Sequence, residues 1–187
     1  ALGTYPGYAS TFWMTTGKWK FECQMIGWGA AGIGLTKQGT YGVTSYNKEW
    51  LANAGFPWIS LIYYPYSDLL FVDGVNQYPT AATRSVSSVY TVLFDADAKK
   101  CWIDIDGIVP DGDPEAGTGG FAVTGDAWSF SVGTGSTSQG VTCNFGQYAF
   151  TETGYPSFNA CSTANIPEPT IKDGSANFQT TLYTGNG

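Results

Sequence analysis

Apolar and polar residues alternate at period two along most of this chain. Trp19, Phe21, Cys23 and Met25 fall on one side of a run, and Lys18, Lys20, Glu22 and Gln24 on the other. That is the pattern of a β-strand with one face on a core. Ile33 and Leu35 begin a short strand flanked by Gly32 and Gly34. Trp58 to Tyr64 is an apolar run broken only by Ser60, as in a strand covered on both faces. Phe71 to Val75 reads as a strand running into a turn at Asp73-Gly74. Val89 to Phe94 and Cys101 to Ile105 are joined by Asp95-Ala96-Asp97-Ala98-Lys99-Lys100, the spacing of a hairpin. Phe121 to Val123 and Ala127 to Val132 read as a second pair around Gly125-Asp126, and Val141 to Phe145 as a further strand. Helical periodicity is confined to one stretch of at most two turns, Asn47 to Ala54. About ten short strands with glycine-rich turns predict an all-β fold, an antiparallel two-sheet sandwich or jelly roll.

The pattern changes after Ser162. The chain becomes polar, and Pro167 and Pro169 force an extended backbone without a regular ladder. Asn177 to Tyr183 then reads as one more strand. The expected division is a sandwich over residues 1–163 and an extended connector or arm over 164–187.

Composition narrows the function classes. The 187 residues suffice for one domain with a sizeable core. The net charge is −7, and the eight Lys and Arg are scattered singly, which argues against a nucleic-acid partner. No apolar run reaches the about 18 residues of a membrane helix. There is no histidine, so no Ser-His-Asp or Cys-His catalytic arrangement exists. Cys23, Cys101, Cys143 and Cys161 contain no C-x-x-C pair, so zinc would need ligands from four distant segments. Cys23, Cys101 and Cys143 alternate with apolar neighbours and read as small core residues. Disulfides remain open among three pairings.

Three motifs invite a chemical reading. Asp104 and Asp106 share a strand face, as acid and nucleophile do in sandwich glycanases, where the carboxyl groups stand about 5–5.5 Å apart. A third acid is missing, and the plainer reading is an exposed polar face opposite Cys101, Ile103 and Ile105. Asp111-Gly112-Asp113-Pro114-Glu115 alternates oxygen ligands like a calcium loop but lacks the spacing and the distal Glu. It reads as a solvated acidic turn, and no metal or cofactor is expected. Gly27-Trp28-Gly29-Ala30-Ala31-Gly32 loosely mimics a phosphate loop, but no helix follows it. The aromatic segment from Trp50 to Tyr66 is the better surface candidate, because aromatic rings stack on sugars and anchor interfaces. About half of these rings should be core. Trp50, Trp58, Tyr64 and Tyr66 are the expected contact residues there, with Tyr64 and Tyr66 exposed beside Pro65, and Phe178 and Tyr183 on the arm.

Three phrases carry a family resemblance. Gly17-Lys18-Trp19-Lys20-Phe21-Glu22 resembles the "GKWYFEV" strand of SPRY (B30.2-like) domains, and Ile33-Gly34-Leu35 the strand after it. Residues 88–107 resemble the central SPRY hairpin, and Asn144-Phe145-Gly146-Gln147 with Phe150 its closing "NFGQRPF" strand. Two departures stand out. Ser87-Ser88 replaces the family's Gly-Asp, and Ala98-Lys99 replaces its Asn-Gly turn, so the hairpin lacks the usual left-handed glycine. Thr163 to Ser175 and Leu182 to Gly187 resemble the connector that follows SPRY modules in structural proteins of tailed phages, especially aquatic ones.

The resemblance implies a concanavalin A-like SPRY sandwich on a virion or fibre, hence a virion or extracellular location, and it does not imply catalysis. The expected function is a non-enzymatic structural or adhesion module. Its partner would be a host-surface glycan, a cell-surface protein, or a neighbouring subunit in a homo-oligomer or with other virion subunits. A purely structural filament or decoration subunit and a carbohydrate-active enzyme using Asp104 and Asp106 are the alternatives.

Overall fold

The computed structural model describes residues 7–10, 13–27, 29, 31–38, 59–77, 84–134 and 139–166. The one stretch of helical periodicity, Asn47 to Ala54, the aromatics Trp50 and Trp58, and most of the arm with Phe178 and Tyr183 lie outside the described residues. The strands are β1 (Gly7–Ala9), β2 (Lys18–Ile26), β3 (Ala31–Lys37), β4 (Ile59–Tyr64), β5 (Leu69–Val72), β6 (Val75–Gln77) and β7 (Val89–Asp95). They continue as β8 (Lys100–Ile105), β9 (Gly112–Asp113), β10 (Thr118–Gly119), β11 (Phe121–Ala122), β12 (Trp128–Thr134), β13 (Gly140–Asn144) and β14 (Asn159–Ala160).

Two sheets form the sandwich. One has the order β1-β12-β3-β4-β5-β6 and the other β11-β8-β7-β2-β13, while β14 runs parallel to the first part of β2. A two-stranded ribbon, β9 with β10, forms a small separate sheet held to β8, where the Trp102 indole donates to the Thr118 carbonyl at 3.0 Å. The alternation read in β2 sets the layer between the sheets: Trp19, Phe21, Cys23 and Met25 meet Ile33, Leu35, Leu61, Tyr63, Phe130 and Val132 there. Phe21 packs on Phe130 at 4.6 Å and Phe94 on Trp128 at 5.0 Å between ring centres. These contacts join the sheets directly. β4 is buried along Leu61, Ile62, Tyr63 and Tyr64, as the apolar run of these four residues requires.

Glycine is needed where β3 meets β4. A Cβ on Gly34 would lie 2.0 Å from the Leu61 carbonyl oxygen, so only glycine admits that close approach. The ladder shifts register just beyond, between Leu35 and Thr36. The β7–β8 hairpin turns without the glycine of the family phrase. Lys99 takes the left-handed conformation instead, with φ 53°. Two contacts compensate: the Asp95 carboxylate accepts the Ala98 N–H at 2.8 Å, and the Lys99 ammonium donates to the Gly125 carbonyl at 2.7 Å.

Two expectations are corrected. Residues 121–123 and 127–132 do not pair with each other. β11 joins β8 and β12 joins β3 and β1, so Gly125-Asp126 lies in a crossover between sheets. Val123 and Ala127, either side of it, are both buried, which holds the crossover against the core. The outer face of β8 is also not exposed. The chain after β13 folds back over it, and Leu93, Trp102, Tyr155 and Phe158 form a second, smaller core there.

Candidate functional site

The outer face of the β2–β7–β8 sheet carries a row of polar side chains under that returning segment. Glu22, Thr91 and Asp104 stand opposite one another across the three strands. All three are buried. Glu22 accepts the backbone N–H groups of Thr151 and Glu152 at 2.9 and 2.7 Å. Asp104 accepts the Tyr155 hydroxyl and the Gly107 N–H. Lys20 donates to the Tyr155 carbonyl at 2.9 Å and lies over the Phe150 ring. The row therefore clasps residues 150–155 to the sheet.

Burial is the largest cause of the shifts of Asp104, Glu152 and Lys20. It raises the Asp104 carboxyl above the usual range, against the lowering effect of the Tyr155 and Gly107 hydrogen bonds. Glu152 is raised too, by burial and then by the nearby charges of Asp104, Glu22 and Asp106. Lys20 is lowered by burial, against the pull of Glu22 and Glu115.

The paired-carboxylate arrangement considered for Asp104 and Asp106 takes a different form. Asp104 is fully buried with both oxygens engaged. Asp106 sits on the exposed turn with φ 53° and accepts the Val89 N–H at 2.8 Å. The two do not face a common cleft. In the acidic turn, Asp113 accepts the Glu115 and Ala116 N–H groups, and Glu115 accepts the Ser157 N–H. Among the described residues no three acidic or thiol side chains converge where they could hold a metal ion.

One end of the sandwich looks different. β2 and β8 end there, and β7 begins there, as the pairing of Gln24 with Val89 and of Tyr90 with Ile105 requires. The β4–β5 turn lies at the same end, because Tyr64 pairs with Leu69 and Ile33, near the start of β3, with Tyr63. Hydrogen bonds knit these loops. Arg84 donates to the Pro65 carbonyl at 2.9 Å and stands 3.5 Å from the Asp68 carboxylate. Gln24 donates to the Ser87 carbonyl at 2.7 Å, and Asp106 holds Val89. From this framework four large apolar side chains reach solvent: Ile26, Tyr66, Val86 and Ile108, each between 41% and 58% exposed.

Of the expected contact residues, Tyr66 is in this group. Tyr64 is not: it is 7% exposed and packs edge-on against Phe71 at 5.9 Å. As the last residue of β4 it still has a strand on each side, which its position beside Pro65 conceals. Ile26, Val86 and Ile108 escaped the sequence reading, because an isolated aliphatic residue looks the same in a core strand and at a strand end. Their signal is the turn next to each: Gly27 after Ile26, the serines around Val86, and Gly107 before Ile108.

The architecture is an antiparallel sandwich of the SPRY, concanavalin A-like type. Among solved structures it is similar to the SPRY domain of human HERC1, with a TM-score of 0.56 and 14% sequence identity, covering 80% of this chain and 87% of that one. No protein-family model and no curated protein sequence matches the chain.

Proposed function

We propose that this chain is a non-enzymatic structural and adhesion module of a virion or extracellular fibre, and that the loop end of its sandwich docks a protein surface, foremost a neighbouring subunit. The observation that carries this reading is the clustering of Ile26, Tyr66, Val86 and Ile108 at one hydrogen-bonded end. Exposed apolar groups gathered on a rigid framework mark interaction surfaces. Three of the four are aliphatic, which suits protein packing better than the ring stacking by which sugars are held. The particle setting rests on the phage-like phrase from Thr163 onward. The buried, fully engaged carboxylates Glu22 and Asp104 favour this reading over glycoside hydrolysis, which needs two carboxyl groups lining a cleft.

The test is the association state of the purified chain, alone and mixed with the neighbouring structural proteins of its source, by light scattering across a concentration series. Ile108→Ser and Val86→Ser should weaken association by at least about tenfold each, the loss expected for apolar interface residues. They should leave the melting temperature nearly unchanged, since both side chains are exposed. Association untouched by both substitutions would refute the loop-end reading. Retention on a glycan array that disappears with Tyr66→Ala, without any protein association, would replace it with a glycan-binding one.

A further inference from the structure

Cys23 on β2 and Cys143 on β13 stand directly opposite each other in an antiparallel pair. Opposed residues in such a pair have Cα atoms about 4.5 or 5.5 Å apart. Both values lie inside the span of about 4.4–6.8 Å that a disulfide bridges. Opposed residues also point to the same face of the sheet. Here it is the core face, where Cys23 is buried and Cys143 is half-buried against the same cluster. The other two cysteines are placed differently. Cys101 lies on β8, beyond the whole width of β7 from β2, between Phe94 and Phe121. Cys161 follows β14 and donates its N–H to the Lys20 carbonyl, further toward the start of β2.

We propose that Cys23 and Cys143 are a thiol oxidation site that forms an intrachain disulfide, stapling β13 to β2. The register selects this pairing, which the sequence left open among three. β13 is the outermost strand of its sheet among the described residues, and it is joined to that sheet through β2. It leads directly into the Asn144 to Gln147 turn. That turn borders an open groove of about 350 Å³ together with Ala9, Ser10 and Thr163. A bond at Cys143 would therefore fix both the sheet edge and one wall of that groove.

The oxidant is a low-molecular-weight disulfide such as glutathione disulfide. The sulfur of Cys143, the more accessible of the two, attacks one sulfur of the oxidant after losing its proton to solvent. One glutathione thiolate leaves and is protonated, and a mixed disulfide remains on Cys143. The Cys23 thiol then loses its proton and attacks the Cys143 sulfur, expelling the second glutathione. Two protein thiols become one disulfide, and one glutathione disulfide becomes two thiols. Burial pushes the Cys143 thiol up to about 11 and raises Cys23 well above its usual value. Little thiolate is present at neutral pH, so the reaction should quicken about tenfold per pH unit between about pH 7 and pH 9.

The experiment uses the whole reduced chain, exposed to glutathione disulfide at mildly alkaline pH. Remaining thiols are then alkylated and the peptides mapped by mass spectrometry. The expected result is loss of two hydrogens, a Cys23–Cys143 linked peptide, and alkylation of Cys101 and Cys161. The melting temperature should rise by about 5–10 °C, as for a bridge closing a long loop. The Cys101→Ser/Cys161→Ser variant should still form the bond, and Cys143→Ser should not. Should the variants fold poorly, the wild-type map decides alone. Four alkylated thiols after exposure, a mixed disulfide at Cys143 that never resolves, or a Cys143–Cys161 link would each overturn the proposal.

Discussion

Replacing Tyr155 with Phe probes the clasp that holds the returning segment to the sheet. The ring keeps its packing against Phe158, at 6.4 Å between ring centres, and stays in the cluster of Leu93 and Trp102. Only the hydroxyl that Tyr155 donates to the buried Asp104 carboxylate disappears. A hydrogen bond to a charged group contributes about 1.5–3 kcal/mol, and at neutral pH the loss should fall in that range. For a chain of this size the melting temperature should drop by about 4–10 °C. The cost should depend on pH in a definite direction. Burial already raises the Asp104 carboxyl, so its favourable contribution is complete in acid and is lost as pH rises through the folded-state value. The Tyr155 hydroxyl opposes that rise, and without it the carboxyl moves further up. The gap between wild type and variant should therefore widen from about pH 4 to pH 7, from about 1 kcal/mol for a neutral pair toward the full charged value. Urea unfolding at the two pH values measures it. A gap of the same size at both, or an effect at neutral pH below about 0.5 kcal/mol, would show that the hydroxyl does not hold an ionised Asp104.

Two further substitutions test other parts of the framework. Thr91 is fully buried between Glu22 and Asp104, and its hydroxyl has no hydrogen-bond partner among the described residues. Thr91→Val should stabilise the fold by about 1 kcal/mol in thermal or urea unfolding, and a comparable loss would show that the hydroxyl is bonded. Gly34→Ala places a methyl against the Leu61 carbonyl, so β3 and β4 must separate and the loss should exceed about 3 kcal/mol. Gly154→Ala, where nothing lies within 4 Å of the added carbon, is the control and should change stability by less than about 0.5 kcal/mol.

The core-facing half of this fold was legible, and the outward half was not, for one physical reason. Period-two alternation tells which side chains share a face, and one face of β2 had to be core because Trp19, Phe21, Cys23 and Met25 lie on it. Polarity on the other face does not say whether water or protein covers it. Lys20, Glu22 and Asp104 looked like a solvated surface, yet residues 150–158 return over them, anchored by two aromatic rings and the backbone amides Glu22 accepts. The same ambiguity misplaced the segment around Gly125-Asp126, since a Gly-Asp step suits a hairpin and a crossover equally. At the tip of the β7–β8 hairpin, the missing glycine removed a local signal without removing the turn. Lys99 adopts the left-handed conformation and recovers the cost through contacts far away in sequence.

This division also decides where function is to be sought. In a sandwich with solvated outer faces, clustered carboxylates would be the first candidates for chemistry. Here Glu22 and Asp104 spend their lone pairs on backbone amides and a buried hydroxyl. A carboxylate so engaged would have to abandon its partners, and leave them buried and unpaired, before it met a substrate. The acids thus act as fasteners for residues 150–155. Exposed apolar side chains occur elsewhere too, at Val75, Tyr148 and Ile166, but four of them, Ile26, Tyr66, Val86 and Ile108, gather at the loop end on a framework braced by Arg84, Gln24 and Asp106. Bracing matters because loops held in place lose less conformational freedom on association than loose ones. A partner that covers those four side chains gains their burial beside turns that these hydrogen bonds already hold.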